Sequence, residues 1–473
     1  MKPFTVSPAI TSHMVLQRRA DTRIWGKAAR AGIKITVTLG TYTATAVSDI
    51  EKRWEAVLPA MEACTEPQTL TVSGLEHTEC FEDVLIGEVY LVAGQSNAEM
   101  TFAAEAQTTA YYKTLLDDTP HYPLLRALVQ HRRDVEPAPF NRNITDTFAN
   151  KKVSQWRVLN SREATMSVSI LGYCFIKELF LALDKQVPVG LVMAASGGSP
   201  LYDMAPGEIS AVYGYTADRN ELIAVSGIYN TMVAPIQNMT FSGILFYQGE
   251  SEMNEPRRRL YGYMLQSYVA ELRRRFRAEL PFYFVQLSSH PEYERSYWTN
   301  IDTIREAQFD TLKLVPHSYM VVARDCGWRE GDLNMYHPYR KDILGKRMCM
   351  LALAAQFGRA DMEQVCSPLP YEAKFSDTKA VIKFRCVAGG LALHDGAKTL
   401  LGFELCGADG VYLPAKAKIT APDTVEVRGV KRPVAVRFGH LFLAYAENAN
   451  LENSAGLPAP CFELHKDIYK LNV

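Results

Sequence analysis

The chain has 473 residues, 48% hydrophobic and 22% charged, ordinary globular usage that excludes a wholly disordered polypeptide. At about 150 residues per domain it holds roughly three domain-sized units. Its 51 basic and 52 acidic side chains leave a net charge of −1. With no basic excess to neutralise phosphates or an anionic surface, neither nucleic acid nor a membrane is expected as a partner.

The N-terminus, Met1-Lys2-Pro3-Phe4-Thr5-Val6-Ser7-Pro8, lacks the apolar segment of about 7–15 residues that marks a signal peptide. No apolar run approaches the roughly 20 residues of a membrane-spanning helix. The expectation is a cytoplasmic protein, or a periplasmic or secreted one whose leader was removed. Nine scattered cysteines with no C-x-x-C pair predict free thiols in a reducing compartment. No metal site is expected from them.

Residues 1–85 read as β structure. Lys34–Leu39 and Tyr42–Val47 alternate with period two, and Gly40 signals the turn between them. Thr69–Val72 continues the pattern. From about residue 86 to 360 the rhythm changes. Short apolar runs at 88–93, 190–194, 243–247, 282–287 and 319–323 read as buried strands. Between them, Leu171, Phe175, Leu179 and Leu183, then Tyr261, Leu265, Val269 and Leu272, recur at helical spacing. Such alternation predicts an α/β layer with a parallel sheet, whose ligands bind at the carboxyl ends of the strands. Residues 361–473 return to β, with strands at 380–384, 424–427 and 435–438. The Arg257–Arg259 and Arg273–Arg275 clusters are expected on the solvated face of a helix over 256–278.

Chemistry is therefore sought just after each strand. Gly94-Gln95-Ser96-Asn97 follows strand 88–93; a serine in a glycine-containing turn can present its hydroxyl, or simply cap a helix. Ser196-Gly197-Gly198-Ser199 follows 190–194, and paired glycines let a backbone N–H approach a ligand. Gln248-Gly249-Glu250-Ser251 follows 243–247, and Gln248 can donate to a developing oxyanion. His337-Pro338 precedes a helix over 339–357, with Pro338 expected in its first turn. Together these fit acyl transfer. Ser96 supplies a nucleophile, His337 its base, and Gly198 and Gln248 added oxyanion donors.

On these residues the chain resembles the SGNH-type hydrolases, and within them the sialate O-acetylesterase group. His13-Met14-Val15-Leu16-Gln17 with Trp25-Gly26 is similar to that group's opening β segment. Asp83–Tyr90 leading to Gly94-Gln95-Ser96-Asn97 resembles its nucleophile block. Tyr229–Pro235, Tyr247–Ser251 and Arg305-Glu306-Ala307-Gln308 resemble later blocks, and Asn450-Leu451 with Gly456-Leu457-Pro458 its C-terminal signature. The resemblance implies a flavodoxin-like three-layer α/β/α core with a parallel sheet, flanked by N-terminal and C-terminal β-rich domains. It implies cofactor-free hydrolysis of O-acetyl esters on sugars, with an O-acetylated sugar or glycan as partner. It makes Ser96 the nucleophile and His337 the base. Ser96 N–H, Gly198 N–H and Gln248 would form the oxyanion hole.

The chain departs from the group where an aspartate usually precedes the histidine: Asn334 and Met335 stand there. A neutral side chain can orient the ring but cannot stabilise imidazolium by charge. Three readings stand: Glu250 approaches from the neighbouring strand end, Asp325 or Asp332 reaches in from the preceding loop, or a carbonyl orients His337 in a Ser–His dyad. Ala98 and Ser196 also differ from the group, at the pocket floor and acyl pocket. Activity is expected to rise with pH through the ordinary imidazole range, about 6.5. The first-choice substrate is a 9-O-acetylated sialic acid, with acetylated xylan or another plant glycan as the alternative. Outside enzymes, a glycan-binding protein with a decayed site competes. An α/β-hydrolase lipase is disfavoured by Ala98, which stands where the nucleophile elbow has glycine. The sequence gives no oligomer count.

Overall fold

The computed structural model describes residues 2–105, 110–116, 122–130, 155–216, 225–252, 254–288, 301–327, 337–440 and 448–466. The chain divides into two units, Met1–Phe246 with Ser267–Phe282, and Tyr247–Gln266 with Tyr283–Val473.

In the first unit, β1 (Lys34–Leu39) and β2 (Tyr42–Val47) pair antiparallel as their alternation predicts. Ile35, Val37 and Leu39 are fully buried, each stabilising the sheet by about 1.5–3 kcal/mol. β3 (Cys64–Gly74) pairs antiparallel with β1 and with β4 (His77–Gly94). β4 is one 18-residue strand with two characters. His77–Asp83 alternates between half-buried and exposed, whereas every residue of Val84–Gly94 is buried. The change of rhythm read near residue 86 thus falls inside a single strand that leaves a β-rich segment and enters a core. Buried Glu88 has a reason: Arg18 Nε at 2.6 Å and Gln17 Nε2 at 2.9 Å hold its carboxylate, while Gln17 Oε1 accepts Val89 N–H. The opening motif ending at Gln17 therefore anchors the strand that leads to Ser96.

Beyond β4 come α1 (Ser96–Glu99), β5 (Leu125–Val129), α2 (Ile170–Ala182) and β6 (Val189–Ala195). β6 runs parallel to both β4 and β5, and β7 (Gly243–Tyr247) neighbours β4. Trp156–Val158 pairs antiparallel with β5, so this sheet is mixed. Leu171, Phe175 and Leu179 of α2 are fully buried, as their four-residue spacing predicts. The helix read over 256–278 is α3 (Arg257–Phe276). In its second arginine cluster only Arg274 is exposed as expected. Arg273 is buried and donates to Leu280 O, and Arg275 lies over the Tyr229 ring at 5.5 Å while pairing with Glu271 and Glu208.

The second unit contains β8 (Phe282–Gln286) from Tyr283 onward, α4 (Ile301–Leu314), β9 (Ser318–Val322) and α5 (Lys341–Ala355), with α4 and α5 both packed on β9. Antiparallel strands follow: β10 (Leu369–Phe375), β11 (Lys379–Arg385), β12 (Phe403–Cys406), β13 (Thr424–Arg428), β14 (Ala435–Phe438) and β15 (Phe462–His465). β11 pairs with β10 and β13, and β14 with β12 and β15. Phe403, Phe438 and Phe462 cluster on the latter sheet, with the Phe403 and Phe438 rings 4.7 Å apart and tilted and Phe438 stacked on Phe462. The C-terminal motif is structural. Fully buried Asn453 donates to the carbonyls of Cys366 and Cys386 and accepts N–H groups from Ala455 and Leu457. All nine cysteines are free thiols. Among the described residues no helix is long and apolar enough to cross a membrane.

Candidate active site

β4 ends at Gly94, whose φ of 140° suits a residue without Cβ. Gln95 is the extended N-cap of α1, with no capping bond from its side chain, and Ser96 is the first helical residue. Ser96 is therefore not the capping serine that its sequence context also permitted. It is half-buried between buried neighbours Gln95 and Asn97. The turn is held from α2: Ser169 caps α2 through Gly172 N–H and donates its hydroxyl to Ala98 O at 2.6 Å. Ile170 N–H bonds to Met100 O.

The parallel register of β6 on β4 sets Ala195 opposite Gly94, so the glycine loop leaves its strand level with the serine turn. Ser196 N–H donates to Gly94 O at 3.1 Å. Gly197 N–H donates to Oε2 of Glu99 at 2.6 Å, and a Cβ placed on Gly197 would lie 3.6 Å from Ser96 Cβ. Gly198 has φ 75°, and a Cβ there would meet nothing within 4 Å. Its requirement for glycine is conformational, and the space beside it is open. The structure thus brings Ser96 and Gly197-Gly198 together. Glu99, which fastens the two segments, was not singled out in the sequence; its spacing of three residues after Ser96 is the signal.

The block Tyr229–Pro235 forms a π-helical turn (Tyr229–Val233) and then a 3-10 turn. Buried Gln130 donates to Met193 O of β6 and Met232 O of the π turn, fixing one to the other. Burial pushes the Tyr229 phenol up to about 12, against the nearby Arg275 charge.

In the second unit, Gln248 is fully buried, and its Nε2 donates to Glu252 Oε1 at 2.7 Å. One of its two amide hydrogens is thereby committed. Its carbonyl accepts both Tyr261 OH and Gln308 Nε2 at 3.1 Å, and Gln308 Oε1 takes Leu287 N–H. Gly249 has φ 144°, and a Cβ would press on Ile304 and Leu287 at 3.0 Å. Glu250 opens a short 3-10 turn, Glu250–Glu252. Burial first, then the charge of Glu250, drives the Tyr247 phenol well above its usual range. Burial likewise raises Tyr261, against the hydrogen bond with Gln308, with the charges of Glu252 and then Glu250 adding to the shift. Glu252 was not singled out in the sequence, and Gln308 was read there only as part of a motif block, without its positioning role.

His337 is half-buried and lies before α5. The helix starts at Lys341, with Arg340 as N-cap, so Pro338 is not in its first turn as expected. The entry is fixed by tertiary bonds instead. Tyr339 N–H donates to Gly327 O, Arg340 N–H to Cys326 O, and buried Lys341 Nζ to Pro338 O at 2.7 Å. Asp325 is held by both terminal nitrogens of Arg347, at 2.7 and 2.5 Å. Both its oxygens are committed to a guanidinium. Asp332 and Asn334 lie outside the described residues.

Residues 86–353, more than half the chain, match the family described as carbohydrate esterase, sialic acid-specific acetylesterase. Sialate O-acetylesterase from Rattus norvegicus is 26% identical over 78% of this chain and 76% of its own length. The Homo sapiens sialate O-acetylesterase is 27% identical over 80% and 76%. The crystal structure of a carbohydrate acetylesterase from Xanthomonas citri superposes with a TM-score of 0.82 at 27% identity, covering 98% of this chain and 99% of that one. This chain belongs to the carbohydrate esterase family of sialic acid-specific acetylesterases.

Proposed function

We propose that the protein hydrolyses O-acetyl esters on sugars with Ser96 as nucleophile and His337 as general base, and that a 9-O-acetylated sialic acid is its first substrate. The catalytic body is assigned to residues 86–360, of the SGNH three-layer α/β/α type, flanked by β-rich domains at 1–85 and 361–473. His337 takes the Ser96 hydroxyl proton as Oγ attacks the acetyl carbon. The N–H groups of Ser96 and Gly198 receive the developing oxyanion, each donor being worth about 10²–10³ in rate. The side-chain amide of Gln248 is assigned to the same oxygen. Collapse releases the sugar hydroxyl and leaves acetyl-Ser96, which water, activated by His337, then hydrolyses. Glu250 is assigned to orient His337, because Asp325 is occupied by Arg347.

The observation that carries this reading is the seating of Ser96 against the Gly197-Gly198 loop, with open space beside Gly198. Acetate release from 9-O-acetylated sialic acid and from acetylated xylan, by the wild-type protein and by Ser96→Ala, tests it. Faster release from the sialic acid, lost in the variant, is expected. A variant with full hydrolysis overturns the mechanism, and preference for xylan overturns the substrate.

A further inference from the structure

We propose that Glu306, His440 and Glu463 form a binding site for a divalent transition-metal ion, zinc foremost. Glu306 lies on α4, His440 two residues beyond the end of β14, and Glu463 on β15. One ligand atom from each lies within 4.8 Å of the others. The three residues are far apart in sequence, which is why no metal-ligand spacing was legible there.

Two carboxylates near each other are not a site by themselves. The imidazole is the second observation. The His440 side chain is 1% exposed, and among the described residues neither ring nitrogen has a hydrogen-bond partner. A buried imidazole in a polar setting ordinarily finds one, because burying a polar atom without a partner is unfavourable. A metal ion bound through Nδ1 would remove that cost on one nitrogen. Nδ1 stands 3.3 Å from Glu306 Oε1. Two donors at about 2.05 Å from a tetrahedral zinc ion lie about 3.3–3.4 Å apart, so this pair is already at ligand spacing. The carboxylates, 33% and 20% exposed, form the rim through which an ion enters.

The surrounding charge permits a cation. Arg437 is committed to Glu404 at 2.8 Å, Arg305 to Asp302, and Arg324 to the carbonyls of Ala449 and Ala459. Glu463 also meets exposed His465 Nε2 at 2.7 Å. One imidazole and two carboxylates are a donor set that suits zinc, with an open fourth position for water.

The ion would clip α4 to the sheet of β14 and β15. The same helix carries Gln308, two residues after Glu306, which holds the carbonyl of Gln248. Bound there, the ion would stiffen the helix that fixes the Gln248-Gly249 strand end.

The test uses the full-length protein, stripped with EDTA and titrated with zinc chloride by calorimetry, with bound metal counted by elemental analysis and Tm followed. The expected result is one zinc ion per chain, a raised Tm, and at least ten-fold weaker binding in His440→Gln and in Glu463→Gln. Glu463 sits on the rim, so Glu463→Gln carries the test if His440→Gln does not fold. No stoichiometric zinc uptake by the wild-type protein, or wild-type affinity in the folded variants, overturns the proposal.

Discussion

Gly197 gives its backbone N–H to the carboxylate of Glu99 at 2.6 Å, joining residues 98 apart in sequence at the ends of adjacent strands. Gly197 is exposed, so water weakens this charge-assisted bond and its share of global stability is small. The bond fastens the glycine loop to the helix that begins with Ser96. Glu99→Gln is expected to lower kcat for acetate release about ten-fold or more, with little change in Tm. Steady-state kinetics beside thermal melts check this; an unchanged kcat contradicts it.

Two glycines separate conformational from steric constraint. Gly198→Ala meets no neighbour, so it bears only the cost of positive φ, about 1–2 kcal/mol. Its effect should fall mainly on kcat through the displaced N–H. Gly249→Ala adds contact with Ile304 and Leu287 and is expected to cost about 2–4 kcal/mol. Denaturant unfolding of both variants should rank Gly249→Ala as the more damaged.

The two carboxylates weighed as partners of His337, Asp325 and Glu250, are expected to differ in role. Asp325→Asn breaks a bidentate pair whose side chains are only 15% and 12% exposed. A loss of about 2–4 kcal/mol of stability is predicted, with kcat near wild type. Glu250→Gln is predicted to lower kcat by about 10²-fold or more, with a smaller stability change. Kinetics and melts on both variants decide between them; the opposite ranking assigns the orienting role to Asp325.

Stability of the metal-free protein should carry two opposed pH dependences. Burial and the neighbouring carboxylates Glu463, Asp302 and Asp310 push Glu306 up to about 8, so between about 4.5 and 8 the folded state holds a proton the unfolded state has lost. Its contribution therefore falls as pH rises toward 8. His440, held near 2, makes the unfolded state the stronger proton binder below about 6.5, so its contribution falls as pH drops. In EDTA, Glu306→Gln should flatten the loss of Tm between pH 6.5 and 8. An unchanged slope contradicts the assignment.

The buried strands were legible because runs such as Val89–Ala93 and Ile244–Tyr247 are apolar without interruption, and a core is the only place for them. The stripe Leu171–Leu183 gave α2 for the same reason. What local pattern could not yield were partners fixed by the fold. Glu99 and Gly197, Gln308 and Gln248, and Arg275 and Tyr229 meet only because separate elements pack together. The start of α5 was misplaced because Pro338 suits a first turn, while bonds from Tyr339 and Arg340 to Gly327 and Cys326 hold that segment out of the helix. The strand-end turns that hold Ser96, Gly198 and Gln248 were legible through their glycines, whereas His337 was marked only by the proline after it. Their holding groups were not legible.

The most direct test is to treat the active protein with a fluorophosphonate and map the modified peptide by mass spectrometry. The account predicts one adduct, on Ser96, with labelling proportional to lost acetate release and absent from Ser96→Ala. Complete inactivation with the adduct on another residue would contradict it.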